Sequence, residues 1–242
     1  MTQIVLFFTF FSFFQSQPTG SELLLAVDAN MTSSSRIYES EMTIHTKRND
    51  RVVTSKNYVE GTSKSYSKYL SPARDKGTKM LKIDDQLWIY SPSTDRIIQL
   101  SGHMLRQSVM GSDMSYEDMM DDRKLIEVYN ATVIATEKYN ETNCYKVELL
   151  AKVDDVAYHK QVIWIDTEKR IPLKQEMYAK SGQLLKRVEM YDVQQFGDRY
   201  FPTSGLYKDM LKSGKGTEFK MRNMQFDVEI PEHIFSKASL KK

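Results

Sequence analysis

From Tyr38 to Phe226 the chain is a succession of short strand-forming runs separated by turn signals, a rhythm that predicts an antiparallel meander. Before residue 102 the runs are Tyr38–Lys47, Val52–Glu60, Lys64–Leu70, Thr78–Ile83, Gln86–Tyr90 and Arg96–Leu100; after residue 125 they lie near 131–138, 144–152, 157–165, 173–179, 184–195, 200–209 and 216–226. Asp84-Asp85, Asn140 to Asn143, Ser181-Gly182 and Ser213 to Gly216 are among the turns between them. The first run alternates, with Tyr38, Ser40, Met42, Ile44 and Thr46 on one face. Others, such as Leu87-Trp88-Ile89-Tyr90 and Val162-Ile163-Trp164-Ile165, are apolar on both faces, so the sheet must be covered. A short helix over Ser21 to Met31, N-capped by Ser21, supplies part of that cover. Pro231 to Ser236 reads as a last helical turn docked on the sheet, followed by a charged tail.

Residues 102–122 interrupt the meander. His103 to Val109 and Tyr116 to Met120 read as short helices, and Ser115 with Asp118 as a capping box. Met104, Met110, Met114, Met119 and Met120 fall within seventeen positions. Methionine is flexible and polarizable, so such a cluster suits either a movable apolar lid or ordinary core under a loop. Trp88, Tyr90 and Trp164 either line a cavity beneath this flap or pack against the covering helices.

The N-terminus has its own character. Residues 1–21 carry no charged side chain, and Ile4 to Phe14 holds six phenylalanines. An apolar run of about 11 residues is too short for a bilayer and matches the core of an export signal, although the stretch before it has no Lys or Arg. Residues 1–20 are therefore expected to be a signal peptide and 21–242 one domain.

Most catalytic chemistries have no foothold. Net charge is +2, which gives no case for nucleic-acid binding. Cys144 is the only cysteine, so no internal disulfide and no multi-cysteine metal site can form. No two of His45, His103, His159 and His233 have metal-binding spacing. Asp113, Glu117, Asp118, Asp121 and Asp122 form an acidic group without the pattern of a calcium loop; Asp113 and Ser115 read instead as caps of backbone amides. Ser65-x-x-Lys68 lies on a predicted strand, where the two side chains point to opposite faces. Phosphate-binding and nucleophile-elbow motifs do not occur. No enzyme activity, metal or cofactor is expected.

Several segments in order resemble the outer-membrane lipoprotein-sorting protein family, the LolA/LolB-like periplasmic carriers. They are S-P-A-R-D-K-G-T with M-L-K-I, then L-W-I-Y-S-P-S-T-D-R-I, M-G-S-D-M-S-Y-E-D, V-I-W-I-D and R-I-P-L-K, spread over most of 21–236. The resemblance implies an α+β, mainly antiparallel β fold: an unclosed, curved β-barrel of about 11 strands capped by short α-helices around an apolar cavity. It implies a soluble periplasmic protein, monomeric, that carries lipoprotein acyl chains or a lipid between envelope membranes without catalysis, with transient membrane contact and an inner-membrane transporter as a further partner. A non-carrier envelope module with a self-filled interior is the alternative. The expected cavity and lid residues are Met80, Trp88, Tyr90, Met104, Leu105, Met110, Met114, Met119, Trp164 and Met190. The family closes its cavity with a lid arginine, and Arg106 is the one arginine inside the flap.

Overall fold

The structure, a computed structural model, describes residues 17–46 and 49–241; the expected signal segment lies almost wholly outside them. Thirteen strands form one antiparallel sheet, compared with the eleven or so expected. All thirteen runs read from the sequence pair, five-residue ones such as 79–83 and 96–100 included, and the lower figure is that of the family resemblance alone. The strands are β1 (Ser35–His45), β2 (Asp50–Glu60), β3 (Lys64–Ser71), β4 (Lys79–Ile83), β5 (Gln86–Ser91), β6 (Arg96–Leu100), β7 (Tyr129–Tyr139), β8 (Thr142–Ala151), β9 (Lys160–Asp166), β10 (Pro172–Tyr178), β11 (Leu184–Phe196), β12 (Arg199–Asp209) and β13 (Thr217–Phe226).

Their order runs β6-β5-β4-β3-β2-β1-β13-β12-β11-β10-β9-β8-β7. Every connection but one is a hairpin. Pairing of β1 with β13 joins the two halves, leaving β6 and β7 as the two unpaired edges. The sheet is therefore curved but unclosed. Residues 101–128, which connect β6 to β7, must pass from one edge to the other, and they do so over the inner face.

Strand parity sorts the core into two layers. Met42, Val53, Tyr69, Met80 and Leu87 point inward and pack with Val109 and Tyr116 of the connecting flap. Also inward, Val147, Leu149, Ile163 and Ile165 bury Leu23, Leu24 and Val27 of α1 (Gly20–Met31). The N-cap of α1 is Thr19 rather than Ser21: its hydroxyl accepts from Glu22 N, and the Glu22 carboxylate accepts from Thr19 N. Gly20 follows because α1 starts hard against β7, where a β-carbon would come within 2.2 Å of the Ala131 carbonyl oxygen.

The outer face is covered as well, which explains the two-faced apolar strands. Tyr66, Leu81 and Trp88 bury Ile230, Phe235 and Leu240. The helical turn expected at 231–236 forms over Glu232–Phe235, and a second follows at Lys237–Leu240. The charged tail is thus anchored by Leu240, which is wholly buried. A separate outer cluster packs Cys144, Val162, Trp164, Ile171 and Leu173.

Candidate ligand cavity and its flap

Beneath the flap lies a cavity of about 460 Å³, within the range of roughly 300–1,000 Å³ usual for small-molecule sites. The inward faces of β1–β3 and β9–β13 form its walls, the flap its roof, and Met31, Leu125 and Val128 part of one end. Apolar contributors include Met42, Val53, Met177, Val188, Leu206 and Phe219. The residues that alternation groups on one face of the first run stay together: Tyr38, Ser40 and Met42 line the cavity, and Ile44 is buried on the same side.

Of the ten cavity and lid residues expected from sequence, Met114, Met119 and Met190 lie on the cavity wall. Met80, Met104, Leu105 and Met110 pack with the same flap core but stand back from the cavity. Trp88, Tyr90 and Trp164 do not line it, because parity sends them to the outer face. There Trp88 carries the Lys237 ammonium 4.1 Å from its ring centroid. Trp164 sits between Lys174 at 4.1 Å and Lys146 at 4.9 Å, and its indole donates to Glu137.

The flap is built from short pieces: a 3₁₀ turn at Gly102–Arg106, another at Val109–Gly111, α2 (Tyr116–Met120) and α3 (Leu125–Val128). Helices this short have little intrinsic stability, so local caps and the sheet must hold them. The Ser115–Asp118 capping box forms as expected, with Asp118 N donating to Ser115 Oγ and Ser115 N to the Asp118 carboxylate. Asp113 does not cap. Its carboxylate accepts from the Thr217 hydroxyl, which in turn accepts from Asp113 N. The amides of Leu125 and Ile126, which open α3, donate to the two carboxylate oxygens of Asp28 on α1. Burial raises the Asp28 pKa, against those two bonds.

Five cations from the sheet and its loops fasten the flap, Lys152 among them through the Ile126 carbonyl. Lys82 on β4 donates to Asp122 at 2.7 Å, to the Met120 carbonyl at 2.9 Å and to the Thr62 carbonyl. Lys186 on β11 donates to the Asp113 carbonyl at 2.6 Å and lies 3.7 Å from Asp118. Lys212 reaches the Ser108 hydroxyl and the Ser112 carbonyl, and Arg51 donates to the Met110 carbonyl. Met110 itself has φ +49°, uncommon for a residue with a β-carbon, at the tip that Arg51 holds. Tyr158 donates to Asp118, and burial together with the Asp118 charge pushes its phenol far above the usual range. Arg106 has no part in this. It is exposed and, among the described residues, makes no hydrogen bond or ion pair, because its 3₁₀ turn faces solvent.

Of the five acidic residues of the flap, Asp113 bonds Thr217 and Glu117 lines the cavity. Asp118 is paired with Lys186, Asp122 with Lys82, and Asp121 with Arg123. Among the described residues no three His, Cys, Asp or Glu side chains converge to hold a metal. Sequence reasoning missed these lysines, yet a signal existed: in Met80-Leu81-Lys82, alternation puts Lys82 on the same inward face as Met80.

A family model described as "-like: Uncharacterized protein" matches residues 61–242. No curated protein matches. Among solved structures, a domain assigned to outer-membrane lipoprotein sorting, from Vibrio parahaemolyticus, aligns with a TM-score of 0.81 at 24% identity, over 92% of this chain and 98% of that one. A DUF1329 family protein from Desulfovibrio piger aligns with a TM-score of 0.82 at 22% identity, over 91% and 97%. A LolA superfamily protein from Nitrosomonas europaea aligns with a TM-score of 0.75 at 23% identity, over 92% and 100%. The fold implied by the sequence resemblance, that of the LolA superfamily, is the fold this chain adopts.

Proposed function

The chain belongs to the family whose model matches residues 61–242, and we propose that it is a non-catalytic carrier of acyl chains, borne on a lipoprotein or a free lipid, between envelope membranes. The supporting observation is the connected, largely apolar cavity of about 460 Å³ beneath a flap that only short, separately fastened elements hold in place. Burying a chain contributes about 0.8 kcal/mol per CH₂, or roughly ten kcal/mol gross for a long one, so apolar walls alone can retain it. Met114, Met119 and Met190 supply adaptable surface for chains of differing length.

In this reading residues 1–20 are an export signal and 21–242 a single carrier domain that works in the periplasm as a monomer. It meets membranes only transiently and receives its cargo from an inner-membrane transporter. No helix among the described residues is long and apolar enough to cross a membrane. The alternative, an envelope module with a self-filled interior, is disfavoured by the same cavity. Native mass spectrometry of protein purified from cells, followed by lipid extraction, tests the proposal. A bound acyl species is expected; protein that is empty and takes up no fluorescent fatty acid would rule the carrier reading out.

A further inference from the structure

The cavity is not uniformly apolar. On β1–β3 its wall carries a polar stripe set by strand register: Tyr38 stands opposite Asn57, and Asn57 opposite Ser67. Neighbouring strands are about 4.8 Å apart, so these three side chains form a continuous row across the sheet. The row above repeats the pattern with Ser40 opposite Ser55, their hydroxyls 2.8 Å apart. Asn57 is held in place, its amide donating to Ser40 Oγ and its oxygen accepting from Ser55 Oγ.

Tyr38 and Ser67 differ from these. Both line the cavity, and among the described residues neither hydroxyl has a hydrogen-bond partner, although Ser67 is only 8% exposed. Burial raises the Tyr38 pKa, so its phenol stays a donor at neutral pH. Neither oxygen is sealed off, Tyr38 being only half-buried, so both hydroxyls open into the cavity. Two donors side by side in a cavity suit a ligand with acceptor oxygens. The stripe itself carries no charge. Of the two arginines of the cavity wall, Arg123 is paired with Asp121 and Asp155, while Arg36 donates to the Met31 carbonyl. Glu117, Asp118, Asp121 and Asp122 also line the cavity, so its wall carries more carboxylates than arginines and disfavours a free carboxylate or phosphate.

We propose that the β1–β3 wall is a subsite for the neutral carbonyl group of an ester- or amide-linked acyl lipid, which accepts hydrogen bonds from Tyr38 and Ser67 beside the fixed Asn57 amide. The assignment rests on the carrier reading and names its substrate class: acylated lipids recognised at the linkage, with the chains lying against the methionine-bearing walls.

The test compares dioctanoylglycerol with its di-octyl ether analogue, which keeps the chains and the glycerol hydroxyl but lacks both carbonyls. Each competes against a pyrene-labelled alkane bound to the full chain. Two modest hydrogen bonds give the ester a preference of about tenfold. The ratio falls to roughly twofold in a Tyr38→Phe, Ser67→Ala variant that melts like the parent protein. Equal affinity of ester and ether for the unaltered protein overturns the subsite, and that result needs no variant. A preference unchanged by the double substitution overturns its assignment to these hydroxyls. If the labelled alkane itself does not bind, the carrier reading fails and the subsite falls with it.

Discussion

Lys186 lies 3.7 Å from Asp118 while donating at 2.6 Å to the Asp113 carbonyl, so one cation on β11 holds both the tip and the helix of the flap. Asp118 is nearly inaccessible, and it also caps α2 and accepts from Tyr158. Replacing Lys186 with Met leaves Asp118, and Asp209 at 3.2 Å, without the cation they share, a loss of about 3–5 kcal/mol. A chain of this size would then melt at least roughly 6 °C lower. Amide hydrogen exchange should accelerate across 102–122 while β8 and β9 keep their protection.

The contact between Asp28 and α3 predicts a second effect. Asp28→Ala leaves the amides of Leu125 and Ile126 without acceptors at a partly buried helix start. The expected loss is about 1–3 kcal/mol, read as a lower denaturation midpoint. Asp28→Asn, which keeps one acceptor oxygen, should lose less.

How much of this could be seen in the sequence follows from what alternation encodes. In β1 alternation groups Tyr38, Ser40 and Met42 on one face opposite Glu39 and Glu41, and that face lines the cavity. In Leu87-Trp88-Ile89-Tyr90 both faces are apolar, and the choice depends on which cover lies where. The C-terminal residues Phe235 and Leu240, remote in sequence, take Trp88 to the outside. The flap latch was harder still. Lys82 and Asp122 are forty residues apart, and Lys186 and Asp118 further, so only the folded sheet brings them together. Arg106 attracted attention because it lies within the flap's own sequence, whereas the cations that hold the flap come from the elements beneath it.

His45 makes a pH-dependent clasp at the end of β1. Its Nδ1 is 2.9 Å from Asp50 and its Nε2 3.4 Å from Glu218, linking β2 and β13 through β1. The hydrogen bond to Asp50, with help from Glu218, raises the imidazole pKa above its ordinary 6.5. Stabilisation from this clasp is full below pH 6.5 and is lost as pH rises through the raised folded value. Melting temperatures at about pH 5.5 and about pH 8.5 should differ more for the native chain than for His45→Gln.

Cys144 is expected to be chemically silent in the folded protein. It is fully buried in the outer cluster, and burial, with the Asp166 charge adding to it, pushes its thiol up to about 11. At neutral pH the thiolate that reacts with disulfide reagents is scarce and inaccessible. An aromatic disulfide reagent should therefore modify the protein only after guanidinium unfolding, with one equivalent released per chain.

If the space beneath the flap holds acyl chains, filling it weakens their binding. Met190 lines the cavity and is half-buried on β11, so Met190→Trp adds bulk inside without touching the latch residues. Equilibrium titration with a fluorescent fatty acid should show saturable binding to the native protein. For the filled variant, affinity should be reduced at least about tenfold at an unchanged melting temperature. Equal binding by the two proteins would contradict the account.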